Sequence, residues 1–132
     1  MKIEDKELLL KDLCARLPYG TIGIYEATGW TDEKATLSPN IYNNVIEGWK
    51  FTPYLFPLSS MNEEQKAELE NLGWNFDNFE IHNVSECFGT YREYVAHLDC
   101  FVLIDWLNKN NFDYRGLIEK ELAIDATNLN IY

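Results

Sequence analysis

Thr90-Tyr91-Arg92-Glu93-Tyr94-Val95-Ala96-His97-Leu98-Asp99-Cys100-Phe101-Val102-Leu103-Ile104-Asp105-Trp106-Leu107-Asn108-Lys109 is the stretch on which the fold turns. Thr90 followed three residues later by Glu93 is a capping box, the reciprocal arrangement that satisfies the first amides of a helix. From there Tyr91, Tyr94, Val95, Leu98, Phe101, Val102 and Trp106 share one helical face, and Leu103, Ile104 and Leu107 fill the other side of the second half. A helix that is apolar all round is one that other elements cover. A long central helix over residues 91–109 is therefore predicted. Asn110 and Asn111 suit a left-handed C-cap, and Asp113 is expected to cap a short helix from Tyr114 to Glu121, with Leu122-Ala123-Ile124 returning as a strand.

Upstream, residues 4–17 place Lys6, Leu9, Leu10, Leu13, Cys14 and Leu17 at helical spacing, with Glu4, Asp5 and Glu7 near the positive end of the helix dipole. Pro18 and Gly20 end that helix, and Thr21–Glu26 alternates as a half-buried strand. Return strands are expected over Ala35–Leu37, Asn44–Ile46 and Trp49–Phe51. Phe51–Leu58 contains Pro53 and Pro57, which remove two ladder donors, so this stretch is expected at a sheet edge or as a connecting arm. Ser60 with Glu63 forms a second capping box, for a helix that Gly73 closes; Trp74–Val84 alternates as a strand or hairpin. The predicted fold is a single α+β domain over residues 1–132: a small antiparallel sheet packed against the long central helix, with shorter N- and C-terminal helices beside it.

The chain carries 22 acidic and 11 basic side chains for a net charge of −11, and 46% hydrophobic residues, enough to fold. Between Glu63 and Asp105 ten acids face only Lys66 and Arg92, a local net of −8. Fixed charge of one sign draws basic surfaces and repels nucleic acid and anionic membranes. The four tryptophans are not interleaved with a basic stripe, so direct nucleic-acid binding is not expected. No apolar run approaches the ~18 residues of a membrane span. Met1–Glu7 is mixed in sign where a secretory signal needs a basic start and an apolar stretch. Three cysteines without a C-x-x-C pair fit reduced thiols. Together these point to the cytoplasm.

His82, Cys87, His97 and Cys100 could in principle ligate zinc, but the spacing follows no common finger and Cys100 sits among core residues, so no metal and no cofactor is expected. Asp105 falls at the edge of the apolar helix face, where an unpartnered carboxylate is expensive. Arg115, folded back across the Asn110–Asn111 turn, is its expected structural partner. No G-x-S-x-G, P-loop, dinucleotide-binding or H-E-x-x-H motif is present, and no catalytic residue is assigned.

Three phrases resemble a family of short, uncharacterised proteins from gut bacteria and their phages and prophages. They are Leu8-Leu9-Leu10-Lys11-Asp12-Leu13-Cys14-Ala15-Arg16-Leu17-Pro18-Tyr19-Gly20, Pro53-Tyr54-Leu55-Phe56-Pro57-Leu58-Ser59-Ser60-Met61, and Ile104-Asp105-Trp106-Leu107-Asn108 running into Phe112-Asp113-Tyr114-Arg115-Gly116-Leu117-Ile118-Glu119-Lys120. This chain departs from the pattern with Phe56 and Leu58 where arginine and methionine are expected, and Glu121 where glycine is usual. The resemblance brings no established fold, activity or catalytic residue. It implies a mobile-element or phage context and a cytoplasmic location. The functional expectation is a non-enzymatic binding or accessory protein engaging a basic protein partner, in one form an inhibitor of a host nucleic-acid enzyme. Glu63, Glu64, Glu68, Glu70, Tyr114 and Arg115 are the candidate binding residues, and self-association is left open. The alternative is a small enzyme with a helix–sheet pocket using Asp105 and His82 or His97.

Overall fold

The computed structural model describes the backbone at residues 2–26, 33–77, 80–83 and 93–132, and the side chains of those residues except at 75–77, 80–83 and 93–100. In chain order the described elements are α1 (Ile3–Arg16), β1 (Ile22–Glu26), β2 (Glu33–Thr36), α2 (Pro39–Ile46), β3 (Lys50–Pro57), α3 (Glu63–Asn71), β4 (Trp74–Asp77), β5 (Glu80–Asn83), α4 (Glu93–Lys109), β6 (Phe112–Asp113) and β7 (Ile124–Asp125). The architecture is α+β.

β3 is the hub. It pairs antiparallel with β1, which pairs antiparallel with β2, and it pairs in parallel with both β6 and β7. The sheet is therefore mixed where an antiparallel one was expected, and β3 is interior where its two prolines suggested an edge. The prolines are tolerated because of where they fall. Pro53, opposite Gly23, is at the end of the β1 ladder, and Pro57 is the last residue of the strand, opposite Asp113. Missing donors at ladder ends break few hydrogen bonds. Gly23 is needed for the same pairing. A Cβ there would lie 2.5 Å from the Phe51 ring and 2.6 Å from the Thr52 carbonyl oxygen.

Neighbouring residues on β3 serve different cores, as alternation across a strand requires. Phe51 and Leu55 join Leu9 and Leu13 of α1, Val45 of α2, and Leu117, Leu122 and Ala123 in one buried cluster. Phe56 packs against a second, formed by Met61, Leu69, Trp74, Trp106, Leu107 and Phe112. In the second cluster Trp106 stacks on Phe112 with ring centroids 5.6 Å apart.

Several local expectations are corrected. Residues 44–46 end a helix: Ser38 accepts from the Ile41 amide, Pro39 begins α2, and Val45 is its buried residue. Helix α3 is capped by Asn62 and Gln65 in a reciprocal box, while Ser60 sits in the preceding 3-10 turn and donates to the Pro57 carbonyl. Gly73 does follow α3 with φ of 93°, and Asn111 follows α4 with φ of 60°, the left-handed closures expected of them. The Thr90 capping box lies outside the described residues. Helix α4 is the longest, but it is not covered all round: Trp106 and Leu107 are buried, whereas Phe101 is 70% exposed and Val102 and Ile104 are also exposed.

No helix forms over residues 114–121. Gly116 has φ of 75° and Glu121 φ of 61°, both left-handed, and they break a continuous helix into turns. Among the described residues no helix is long and apolar enough to cross a membrane.

Candidate functional site

Two groups of candidate residues are found in two quite different settings. The first is the corner at Phe112–Gly116. Helix α1 buries Leu9, Asp12, Leu13 and Arg16, an i, i+3, i+4, i+7 face in which the last and second positions are charged. Arg16 and Asp12 are fully buried and form a two-pronged pair: Arg16 Nε donates to Asp12 Oδ2 at 2.7 Å and Nη2 to Oδ1 at 3.1 Å. Arg16 Nη2 also donates to the Phe112 carbonyl at 2.6 Å, fastening α1 to β6. Arg115 Nε then donates to Asp12 Oδ1 at 3.3 Å, so one carboxylate serves two guanidiniums. Both guanidinium carbons approach the Tyr114 ring, Arg115 at 4.8 Å and Arg16 at 5.3 Å from its centroid. The Tyr114 hydroxyl donates to Asn108 Oδ1 at 2.9 Å.

Among the described residues no hydrogen bond or ion pair joins Asp105 to Arg115. Asp105 is exposed on α4, where water solvates it, and it accepts a hydrogen bond from the Tyr19 hydroxyl. Arg115 goes instead to the carboxylate that burial leaves in need of cations. Asp113 caps the corner as expected, without a helix to follow. Its carboxylate accepts from the backbone amides of Arg115, Leu117 and Ile118, at 3.3, 3.0 and 3.0 Å. Asp12 and Arg16 are the residues that sequence reasoning passed over. Their four-residue spacing, in step with Leu9 and Leu13 on the buried face, is the signal that could have found them.

The second group is α3. Glu63, Glu64, Glu68 and Glu70 are all exposed, and Leu69 is the residue the helix buries. Glu63 pairs with Lys66 at 3.6 Å. With four acids and one base the helix has a net charge of −3. Glu63 and Glu64 lie in its first turn, where carboxylates complement the helix dipole. Among the described residues no hydrogen bond or ion pair joins these glutamates to Tyr114 or Arg115. The six candidate binding residues are thus split between a packed corner and an open helix.

Cys87 lies outside the described residues, and the side chains of His82, His97 and Cys100 are also outside them. Among the described residues no group of three or more His, Cys, Asp or Glu is placed to hold a metal ion. Asp105 lines none of the three described cavities, of about 290, 360 and 240 Å³. Tyr114 and Asp113 contribute to the 360 Å³ one, beside Pro57 and Ser59.

Comparison with known proteins gives no match: no family model, no curated protein and no solved structure matches the chain.

Proposed function

We propose that the protein is a non-enzymatic binding or accessory protein that engages a basic surface of another protein through α3. The observation that supports this reading is the exposure of Glu63, Glu64, Glu68 and Glu70 on one short helix that buries only Leu69. These carboxylates are not needed to hold the core, in contrast to those of Asp12 and Asp113. They are part of a chain net of −11, whose field steers basic partners inward. A host nucleic-acid enzyme, basic where it grips phosphates, is a partner this charge fits. The resemblance to phage and prophage proteins, with the cytoplasmic location it implies, supports the same setting.

The test is capture from the native host with the wild-type chain, identification of the partner by mass spectrometry, and a salt titration of the purified pair. Affinity is expected to fall steeply from low to physiological salt. Replacing the four glutamates with glutamine is expected to abolish capture while the melting temperature is retained. A salt-independent affinity, or a variant that binds as tightly as the wild type, would sink the reading.

A further inference from the structure

The cavity of about 290 Å³ between α1, the end of α2 and the start of β3 differs in chemistry from the rest of the molecule. Its floor is Leu9 and Val45, both buried in the first core cluster. Its wall is Trp49, whose side chain stays partly open to solvent at 37% exposure. That indole is braced from behind by Tyr25, with ring centroids 5.4 Å apart, and Tyr25 is itself fixed by a 2.8 Å hydrogen bond from Asn44 Nδ2 to its hydroxyl. The rim carries two cations, Lys6 and Lys50, and among the described residues no acidic side chain lines the cavity. In a chain with twice as many acids as bases, this is a local reversal of sign.

We infer that this cleft binds a small aromatic carboxylate, a use separate from the partner surface on α3. A preformed apolar slot with a few convergent polar groups is the usual form of a small-molecule site. The volume suits a ligand of one ring system with a short acid arm. The ring would lie against the braced indole over Leu9 and Val45, in offset or edge contact. The acid would meet Lys6 and Lys50 at the mouth. Lys6 Nζ donates to the Ile46 carbonyl at 3.3 Å, which holds the ammonium over the cleft and leaves it further protons to give. Lys50 lies 3.8 Å from Glu26, a solvent-exposed pair weak enough for an incoming carboxylate to compete with.

The experiment is isothermal titration calorimetry of the full chain with indole-3-acetate and, in parallel, the uncharged indole-3-acetamide. Indole-3-acetate is expected to bind with a dissociation constant below about 1 mM, and the amide about tenfold more weakly, since one charge-assisted contact is lost. Lys50→Met is expected to weaken the acid severalfold and leave the amide unchanged; Trp49→Ala is expected to weaken both about tenfold or more. Lys6→Met repeats the charge test at the second cation. Its fold is checked by circular dichroism, and Lys50→Met carries the test if that variant is unstable. Equal binding of acid and amide, absence of binding up to about 10 mM, or an acid affinity indifferent to both lysines would overturn the proposal. Because α3 is not involved, loss of the partner reading leaves these outcomes unchanged.

Discussion

Charge at the Phe112–Gly116 corner and charge on α3 obey opposite rules. At the corner Asp12 and Arg16 are fully buried, and every described hydrogen bond of the Asp12 carboxylate goes to a guanidinium. On α3 the carboxylates stand in water above a single buried leucine. Burying an ion costs several kcal/mol before any partner repays it, so the corner persists only because three groups meet there with matching geometry. Exposed glutamates carry no such requirement. The contrast teaches where substitutions should be felt as stability and where they should be felt, if anywhere, as association.

The largest expected effect comes from breaking the corner. Arg16→Met removes the two-pronged partner of Asp12 and the bond to the Phe112 carbonyl, and is expected to cost about 3–5 kcal/mol. Urea unfolding followed by circular dichroism measures it. The sharper form is a double variant, Asp12→Leu with Arg16→Met, in which no uncompensated carboxylate is left. It should recover part of the loss, because the single change leaves the fully buried carboxylate with Arg115 alone, at 3.3 Å. A double variant as unstable as the sum of its singles would show that the two side chains do not act as a pair.

Next in size is Asp113→Ala. Three backbone amides, at Arg115, Leu117 and Ile118, lose their acceptor, and the left-handed Gly116 turn loses its anchor. A loss of about 2 kcal/mol is expected, near the upper end for a cap, since more than one donor is left unsatisfied. Asp113→Asn should retain part of this stability, as its amide oxygen can still accept. If both variants melt like the wild type, the corner is held by packing and not by its hydrogen bonds.

A third case is a half-exposed phenol held neutral between two strands: Tyr132 is 48% exposed overall. The Tyr132 hydroxyl accepts from the Ile22 amide at 2.9 Å and donates to the Tyr54 carbonyl at 2.7 Å, bridging β1 and β3. Desolvation pushes its pKa up to about 12, against smaller lowering effects from the Ile22 hydrogen bond and the Arg16 charge. A phenol that keeps its proton longer in the folded chain stabilises the fold below its ordinary value near 10. That contribution drains away as pH rises from about 10 towards 12. Tyr132→Phe is expected to flatten the alkaline fall in stability and to cost about 1 kcal/mol at neutral pH. Tyr42, also raised, chiefly by desolvation, leaves the variant some residual slope. An unchanged alkaline limb would remove Tyr132 from the account.

Much of this was legible in local pattern. The α1 helix, the β1 strand, the β4–β5 hairpin, and the closures at Gly73 and Asn111 all follow from residues near one another in the chain. What local pattern could not supply was partner choice over distance. Arg115 and Asp12 are 103 residues apart, and nothing in the neighbourhood of either says that α1 will lie against the chain after α4. Asp105, across the Asn110–Asn111 turn from Arg115, is the partner that local reading offers, whereas Arg115 bonds to Asp12. The same limit explains β3. Two prolines argue locally for an edge, yet the hub position is decided by β6 and β7 arriving from the far end of the chain. On α2, Ser38-Pro39 is the start signal in the sequence, and the strand expected over Asn44–Ile46 falls inside the helix it opens. The glutamates of α3 stand exposed because charge without an apolar stripe leaves little else for a helix face to do.

The smallest expected effect completes the contrast. Replacing Glu63, Glu64, Glu68 and Glu70 together with glutamine should change stability by no more than about 0.5 kcal/mol, because the terms oppose one another. Glu63 and Glu64 in the first turn favour the helix dipole, a gain that glutamine forfeits. Glu64 and Glu68, one helical turn apart, repel each other, and neutralising them returns a few tenths of a kcal/mol. The Glu63–Lys66 pair is exposed, with 94% of the glutamate side chain open to water, so its loss adds little. Paired thermal melts at low and physiological salt measure the balance, and any residual difference should shrink as salt rises. A loss of several kcal/mol would mean that these carboxylates hold the fold as those of the corner do, and the division between structural and available charge would fail.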